Sequence, residues 1–191
     1  CIFVISEAAP SPVVFANGFG AGWSSWSWNI TLNTAKQYGY ANTNAVGVTF
    51  NTTWAGFSPG VGINFNTAGY KHLSFMVRNN SNGDDLWLFA ANPGNTHGTS
   101  LRLSDYSPTD TFTQGQWTWI RVPIKDLGLG SNPVLSYFAI QSGKTNASVD
   151  FDEIRFEANA LLFENNGNDA NSPIIRGPAH VWNWGSIVRY P

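Results

Sequence analysis

Short apolar runs that end in turn-forming residues recur along this chain at intervals of roughly ten residues. Two of them are HLSFMVR at 72–78 and VLSYFAIQS at 134–142, and the cluster NNSNGDD at 79–85 ends the first. Apolar residues at helical spacing are hard to find anywhere in the sequence. This pattern predicts an all-β sandwich or barrel.

The composition indicates a surface that carries few charges. Charged residues make up 12% of the chain, about half of the usual share, whereas aromatic residues reach 15% and include 9 Trp. Such a surface is typical of β-rich extracellular proteins, so we expect a secreted protein. The net charge of −2 comes from scattered residues, and no apolar run is as long as a bilayer span. We therefore expect neither nucleic acid nor a membrane as a partner.

We expect one domain over residues 1–157 and a C-terminal extension over residues 158–191 that wraps this domain. The extension is rich in turn-forming residues, and its Trp182 and Trp184 need a surface against which to be buried. Cys1 is the single cysteine, so it is either a free thiol or available for an intermolecular disulfide.

Four segments, read in order, resemble the β-jelly-roll carbohydrate-binding modules that are attached to polysaccharide-degrading enzymes. They are VVFANGFGAGWSSWSW (13–28), YKHLSFMVRN (70–79), QWTWIRVPIKDLG (116–128) and the closing pair VLSYFAIQSG…SVDFDEIRFE (134–157). The resemblance implies a β-sandwich jelly roll of two antiparallel sheets. It also implies a polysaccharide or oligosaccharide as ligand and a catalytic domain as a possible neighbour in a longer chain.

The same resemblance implies a structural calcium ion. In that family an Asp of the last strand commonly helps to bind calcium together with groups near the first strand, and Asp152 matches this Asp. Ala16 and Asn17 stand where the usual acidic pair follows the first strand, so Asn17 is the expected second ligand. Calcium needs six to eight oxygen ligands. The alternative is that Asp152 accepts hydrogen bonds from loop backbone.

The acidic strand VDFDEIRFE at 149–157 does not carry the carboxylate pattern of a glycan hydrolase. β-Jelly-roll glucanases use a strand resembling E-x-D-x-x-E or E-x-D-x-E, with a pair of carboxylates across the bond to be cleaved. Here Asp150 occupies the first position, and Ile154 or Arg155 occupies the last. We therefore expect a non-catalytic protein, and a hydrolase or lyase with groups from distant strands is the alternative.

Alternation along the predicted strands separates core residues from outward ones. In WTWIRVPI, Ile120 and Val122 have core character, so Trp119 and Arg121 point outward, and the same argument applies to HLSFMVR, LWLFA and YFAIQ. The outward residues that we expect to form one carbohydrate-binding surface are Trp87, Trp119, Tyr137, Arg78, Arg121 and Gln141. Indole faces stack on sugar rings, and Arg and Gln donate to hydroxyl groups. Burial of these rings under the extension is the alternative.

Three tryptophans lie close together in AGWSSWSWN. Trp23 lies in a glycine-rich loop, and we expect it to extend the sugar-binding surface. Trp26 and Trp28 share one face, and Ile30 continues their alternation, which favours packing in the core or a covered groove.

The outward aromatic residues, together with the resemblance to carbohydrate-binding modules, imply non-catalytic binding of a β-glucan or a related cell-wall polysaccharide, by aromatic stacking and by hydrogen bonds from Arg and Gln. A glycoside hydrolase or polysaccharide lyase is the first alternative. A homo-oligomeric lectin, with Cys1 and the C-terminal extension at its interface, is the second.

Overall fold

The computed structural model describes residues 9–158 except 38, 41–42, 95–96 and 130–132. This part of the chain forms twelve β-strands and two 3-10 turns, Leu103–Tyr106 and Ile124–Leu127, and contains no helix long and apolar enough to cross a bilayer. In chain order the strands are β1 (Val13–Phe15), β2 (Trp23–Ser25), β3 (Ile30–Lys36), β4 (Ala45–Phe50), β5 (Gly56–Phe57), β6 (Pro59–Asn66), β7 (Tyr70–Ser81), β8 (Leu86–Ala91), β9 (Leu101–Arg102), β10 (Trp117–Pro123), β11 (Val134–Ser142) and β12 (Ala147–Ala158).

The described strands form two antiparallel sheets of six strands each. Sheet I has the order β10-β7-β12-β4-β3, with β1 also paired to β12, and sheet II has the order β2-β6-β11-β8-β9, with β5 also paired to β11. Most neighbouring strands are distant in sequence, so the chain crosses repeatedly from one sheet to the other, as in other jelly rolls. The predicted β-sandwich jelly roll of two antiparallel sheets is confirmed.

The core lies between the two sheets and is rich in aromatic rings. Phe57 of sheet II stacks on Phe151 of sheet I with ring centroids 5.3 Å apart, and Phe75 meets the same ring edge-on at 6.0 Å. All three side chains are fully buried. Burying a side chain of this size stabilises a fold by about 1.5–3 kcal/mol, and the contact between Phe57 and Phe151 helps to hold the two sheets together.

Strand alternation places core and outward residues as predicted. Ile120 and Val122 of β10, and Phe138 and Ile140 of β11, are fully buried. Their neighbours along each strand lie on the outer faces of the sandwich, because successive side chains of a strand point to opposite sides.

Trp23 lies in the core, which corrects its expected place on the sugar-binding surface. It begins β2, is 5% exposed, and stacks on Phe156 with ring centroids 5.9 Å apart. Its indole Nε1 donates to the backbone oxygen of Ser11 at 2.7 Å. The glycine-rich loop ends just before Trp23, so the ring enters the sandwich from the first residue of a strand.

The predicted extension over residues 158–191 lies outside the described residues except for Ala158, the last residue of β12. Trp182, Trp184 and the predicted burial of aromatic rings under this extension lie outside them as well, as does Cys1.

Candidate functional site

Trp26 and Trp28 lie on the outer face of sheet II, not in the core or a covered groove. The segment that follows β2 runs beside residues 56–58 of the same chain. The Trp26 N–H donates to Ser58 O at 2.8 Å, and the backbones of Trp28 and Gly56 donate to each other at 3.0 Å. Trp26 is 46% exposed, whereas Trp28 is half-buried. The expected sharing of one face is correct, but that face is the outer one.

Each of these two indoles lies on the backbone of a glycine. A Cβ at Gly60 would lie within 2.8 Å of three ring atoms of Trp26, and a Cβ at Gly56 would lie within 2.6 Å of three ring atoms of Trp28. The Trp26 Nε1 donates to Ser24 Oγ at 3.1 Å. Glycine at both positions therefore lets the rings approach the sheet closely.

Trp54 is the second exposed indole of this region, with 54% of its surface accessible. Its φ of 61° lies in the left-handed region, which bulky residues rarely adopt. Its backbone oxygen accepts hydrogen bonds from Trp28 Nε1 at 3.0 Å and from Gln141 Nε2 at 2.9 Å. The backbone of residue 54 thereby connects two side chains of the outer face.

Residues of β8 and β11 continue the same surface. Tyr137 lies 6.1 Å from Trp26 between ring centroids, and Phe89 lies 6.5 Å from Trp28. His97 stacks on Phe89 at 4.7 Å, and its Nε2 is 2.8 Å from the Tyr137 hydroxyl. Burial raises the pKa of the Tyr137 hydroxyl above its ordinary value.

We call the surface formed by Trp26, Trp28, Phe89, His97 and Tyr137, together with Trp54, whose backbone oxygen is bound to Trp28 and Gln141, the aromatic face. Gln141 and Trp87 lie beside it as a cross-strand pair of β11 and β8, and Trp87 Nε1 donates to Asp85 Oδ1 at 2.9 Å. The aromatic face combines apolar rings with a few polar groups, which is the composition expected of a ligand site.

The predicted site residues therefore divide between the two sheets. Tyr137, Gln141 and Trp87 belong to sheet II, whereas three others belong to the outer face of sheet I. Those three are Arg78, Trp119 and Arg121. The prediction that all six form one surface is wrong, because alternation separates inward from outward residues but does not say which sheet a strand joins.

The two arginines of sheet I are engaged in ion pairs. Arg78 donates twice to Asp150 Oδ2, at 2.6 and 3.1 Å, and its guanidinium lies 4.7 Å from the ring centroid of Trp117. Arg121 donates to Glu157 Oε2 at 3.0 Å and lies 5.8 Å from the Trp119 ring. Paired in this way, the arginines stabilise the sheet.

Asp152 accepts hydrogen bonds from the neighbouring loop. Its Oδ2 accepts from the Tyr40 backbone N–H at 2.8 Å and from the Thr43 hydroxyl at 3.2 Å, and its Oδ1 accepts from the Glu153 N–H at 2.8 Å. Burial raises the pKa of the Asp152 carboxyl, and the hydrogen bonds oppose this rise. Two backbone N–H groups and one hydroxyl thus donate hydrogen bonds to this carboxylate.

Calcium binding at Asn17 and Asp152 stays a prediction. Asn17 Oδ1 accepts a hydrogen bond from the Asn44 backbone N–H at 3.1 Å, so it too faces a donor. The described residues hold no cluster of three or more His, Cys, Asp or Glu side chains that could bind a metal. Calcium takes six to eight oxygen ligands. The hydrogen bonds described here correspond to the alternative expectation, in which Asp152 accepts hydrogen bonds from the loop.

The aromatic face includes three tryptophans that the sequence did not assign to the site. For Trp26 and Trp28 a signal existed in GFSPG, where Gly56 and Gly60 fall on the same face of an apolar run and leave room for rings. Trp54 has no comparable signal, because its position depends on an unusual backbone conformation.

No protein-family model and no curated protein sequence matches the chain. A family 29 carbohydrate-binding module from Piromyces equi is similar in structure, with a TM-score of 0.53 and 15% identity over 79% of this chain and 91% of the module. A family 11 module from Clostridium thermocellum, in complex with a β-1,3-1,4-mixed-linked tetrasaccharide, has a TM-score of 0.50 and 12% identity over 80% and 98%.

A β-1,2-glucanase from Parabacteroides distasonis is also similar, with a TM-score of 0.56 and 14% identity. The match covers 81% of this chain but spans only 26% of the glucanase. The two carbohydrate-binding modules, by contrast, are matched nearly end to end. The described part of the chain therefore has the β-jelly-roll sandwich fold of these carbohydrate-binding modules.

Proposed function

We propose that this chain binds a polysaccharide, a β-glucan or a related cell-wall glycan, on the aromatic face of sheet II. The observation that carries the proposal is the exposure of Trp26 and Trp54 beside other aromatic rings of the aromatic face, because a contiguous exposed apolar patch, unlike a single exposed ring, marks an interaction site. The glucan as ligand is supported by the names of the similar proteins, which include a module in complex with a mixed-linked tetrasaccharide.

Binding would proceed by stacking and by hydrogen bonding on one surface. Trp26, Trp28 and Trp54 offer indole faces to the C–H faces of sugar rings. Polar groups beside them, the Tyr137 hydroxyl and the Gln141 amide, would orient the sugar hydroxyls. The proposed contacts require no charged group of sheet I.

Catalysis is not part of this proposal. A glycosidase needs two carboxylates across the scissile bond. Asp150 and Asp152 of the acidic strand are buried on sheet I, where they are bound to Arg78 and to loop donors. They are therefore engaged away from the aromatic face, and we propose a non-catalytic binding domain.

Secretion and attachment to a catalytic domain belong to the same proposal. A cell-wall polysaccharide lies outside the cell, so a protein that binds it must be exported. Single glycan sites bind weakly, and linkage to an enzyme or association with further copies would raise the effective affinity. Analytical ultracentrifugation would test association, because a strict monomer excludes the oligomeric lectin.

The proposal is tested by retention on a panel of immobilised glycans, with measurement of released reducing sugar. We expect retention on a β-glucan without sugar release, and an affinity about tenfold lower for Trp26→Ala and for Trp54→Ala. Trp119→Ala is the matched control, since it removes a half-buried indole from the outer face of sheet I. Absence of retention on every glycan, or release of sugar, would contradict the proposal.

A further inference from the structure

Gly56 and Gly60 contact the flat faces of two indoles. A Cβ at Gly60 would be nearly equidistant from Cδ2, Cε2 and Cε3 of Trp26, all within 2.8 Å. At Gly56 the same holds for Cε2, Cζ2 and Cη2 of Trp28, within 2.6 Å. A point that approaches an aromatic ring from its edge meets one atom well before that atom's neighbours. Near-equal distances therefore mean that both rings lie with their faces on the glycine backbone.

Both ring orientations are held by a further hydrogen bond. Trp28 Nε1 donates to the Trp54 oxygen at 3.0 Å, and Trp26 Nε1 donates to Ser24 Oγ at 3.1 Å. An indole that is held at its nitrogen and rests on a glycine cannot rotate upright without losing both contacts. The two rings thus lie parallel to the sheet and present their second faces outward.

The two glycines are separated along the strand direction. Gly60 pairs with Tyr137 and Gly56 pairs with Gln141 on the adjacent β11. Four extended residues span roughly 13 Å, which is much longer than one sugar ring. A ligand that contacts both indoles must therefore be an oligosaccharide that remains flat over this length.

We propose that Gly56 and Gly60 are positioning residues that hold Trp26 and Trp28 flat on the sheet, and that these two flat-lying indoles select extended, ribbon-shaped β-linked glycans over coiled ones. The inference rests on the proposed function and adds the shape of the ligand to it. A β-1,4-linked glucan is an extended ribbon whose ring faces can lie on both indoles. An α-1,4-linked glucan has the same sugar but coils away from a flat surface.

The ligand test compares cellohexaose with maltohexaose, two glucose hexamers that differ only in linkage. We expect isothermal titration calorimetry to give an affinity at least about tenfold higher for cellohexaose. Equal affinities would overturn the selection by shape while leaving carbohydrate binding intact. Binding of neither hexamer would mean that the ligand is not an extended glucan, and would overturn both the inference and the glucan part of the proposed function.

The residue test compares Gly60→Ala with Gly62→Ala. Gly62 lies on the same strand, is exposed, and no non-adjacent residue of the described chain lies within 4 Å of a Cβ placed there. We expect Gly60→Ala to lower the affinity for cellohexaose about tenfold, and Gly62→Ala to leave it unchanged. Gly56→Ala, which acts on Trp28, provides a second variant if Gly60→Ala does not fold. Unchanged affinity in both variants would overturn the role of the glycines.

A double-mutant cycle separates positioning from a general structural effect. In a Trp26→Ala background, Gly60→Ala should have no further effect on affinity, because the glycine acts through that ring. The near-ultraviolet circular dichroism of Gly60→Ala should also differ from that of Gly62→Ala, since it reports the surroundings of indoles. This second reading needs no ligand, so it tests the glycines even if no glycan binds. An additive loss of affinity, or identical spectra, would overturn the inference.

Discussion

At the residue scale, the backbone of Trp54 organises the aromatic face. Its φ of 61° is a conformation that costs non-glycine residues about 1–2 kcal/mol. The conformation is held by a hydrogen bond from Trp54 N–H to Ser142 O at 2.7 Å, and it directs the Trp54 oxygen to Trp28 and Gln141. Strain of this kind persists where the surrounding structure enforces it, often at functional sites.

Substitution of Trp54 tests the cost of its backbone conformation separately from the contribution of its indole to glycan binding. We expect Trp54→Gly to be more stable than Trp54→Ala by about 1 kcal/mol, because only glycine adopts a positive φ without steric cost. Urea unfolding measures the difference. Both variants lose the indole, so both should lose the same affinity for a glycan. Equal stability of the two variants would contradict the left-handed conformation at this position.

Trp26 and Trp28 show which part of the side-chain orientation could be predicted from alternation in the sequence. Alternation correctly joined Trp26 to Trp28, but Ile30 suggested an inward face for both. The chain leaves sheet II between them and Ile30, because Asn29 has a φ of 53° and Ile30 begins a strand of sheet I. Alternation holds only within one strand, and a single residue of positive φ interrupts it.

At the element scale, the sequence predicted which side of each strand is buried but not where the strand lies. Alternation in β10 and β11 is confirmed, and it follows from local chemistry alone. The pairing of β10 with β7, and of β7 with β12, joins segments far apart in the chain. Such partners depend on the long-range path of the chain, which one sequence does not reveal. The predicted site was therefore divided between two sheets.

Substitution of each arginine of sheet I tests whether the residues of the predicted site are divided between the two sheets. Among the described residues, Arg78→Met leaves the buried Asp150 with Lys36, at 3.6 Å, as its remaining ionic partner, and we expect a loss of about 3 kcal/mol in the free energy of unfolding. Arg121→Met breaks a pair that is partly exposed on both sides, so it should cost about 1 kcal/mol or less. Urea unfolding gives both values.

Glycan affinity provides the second reading of the same two variants. Because both arginines lie on the sheet opposite the aromatic face, we expect unchanged affinity for each variant that folds. Loss of affinity in a folded Arg121→Met protein would return the outer face of sheet I to the candidate site.

At the scale of the whole molecule, the two outer faces of the sandwich carry different chemistry. Sheet I presents charges that are paired with one another, such as Arg78 with Asp150, and sheet II presents the aromatic face. Between them lies a core that is itself aromatic, with Phe57 on Phe151 and Trp23 on Phe156. The composition predicted exposed rings in general, but the core and the outer face use the same residue types, so composition could not distinguish them.

Because both oxygens of Asp152 already accept hydrogen bonds, from Tyr40, Thr43 and Glu153, we expect the thermal stability of the protein to be independent of calcium. Saturation of a structural site at a hundred times its dissociation constant would add about 2.7 kcal/mol to the free energy of unfolding. We expect the same Tm with EDTA and with excess calcium. Asp152→Asn should lower the Tm equally in both, because an amide nitrogen cannot accept the hydrogen bonds that one carboxylate oxygen receives. A Tm that calcium raises in the native protein, but not in Asp152→Asn, would instead establish a metal ion at this carboxylate.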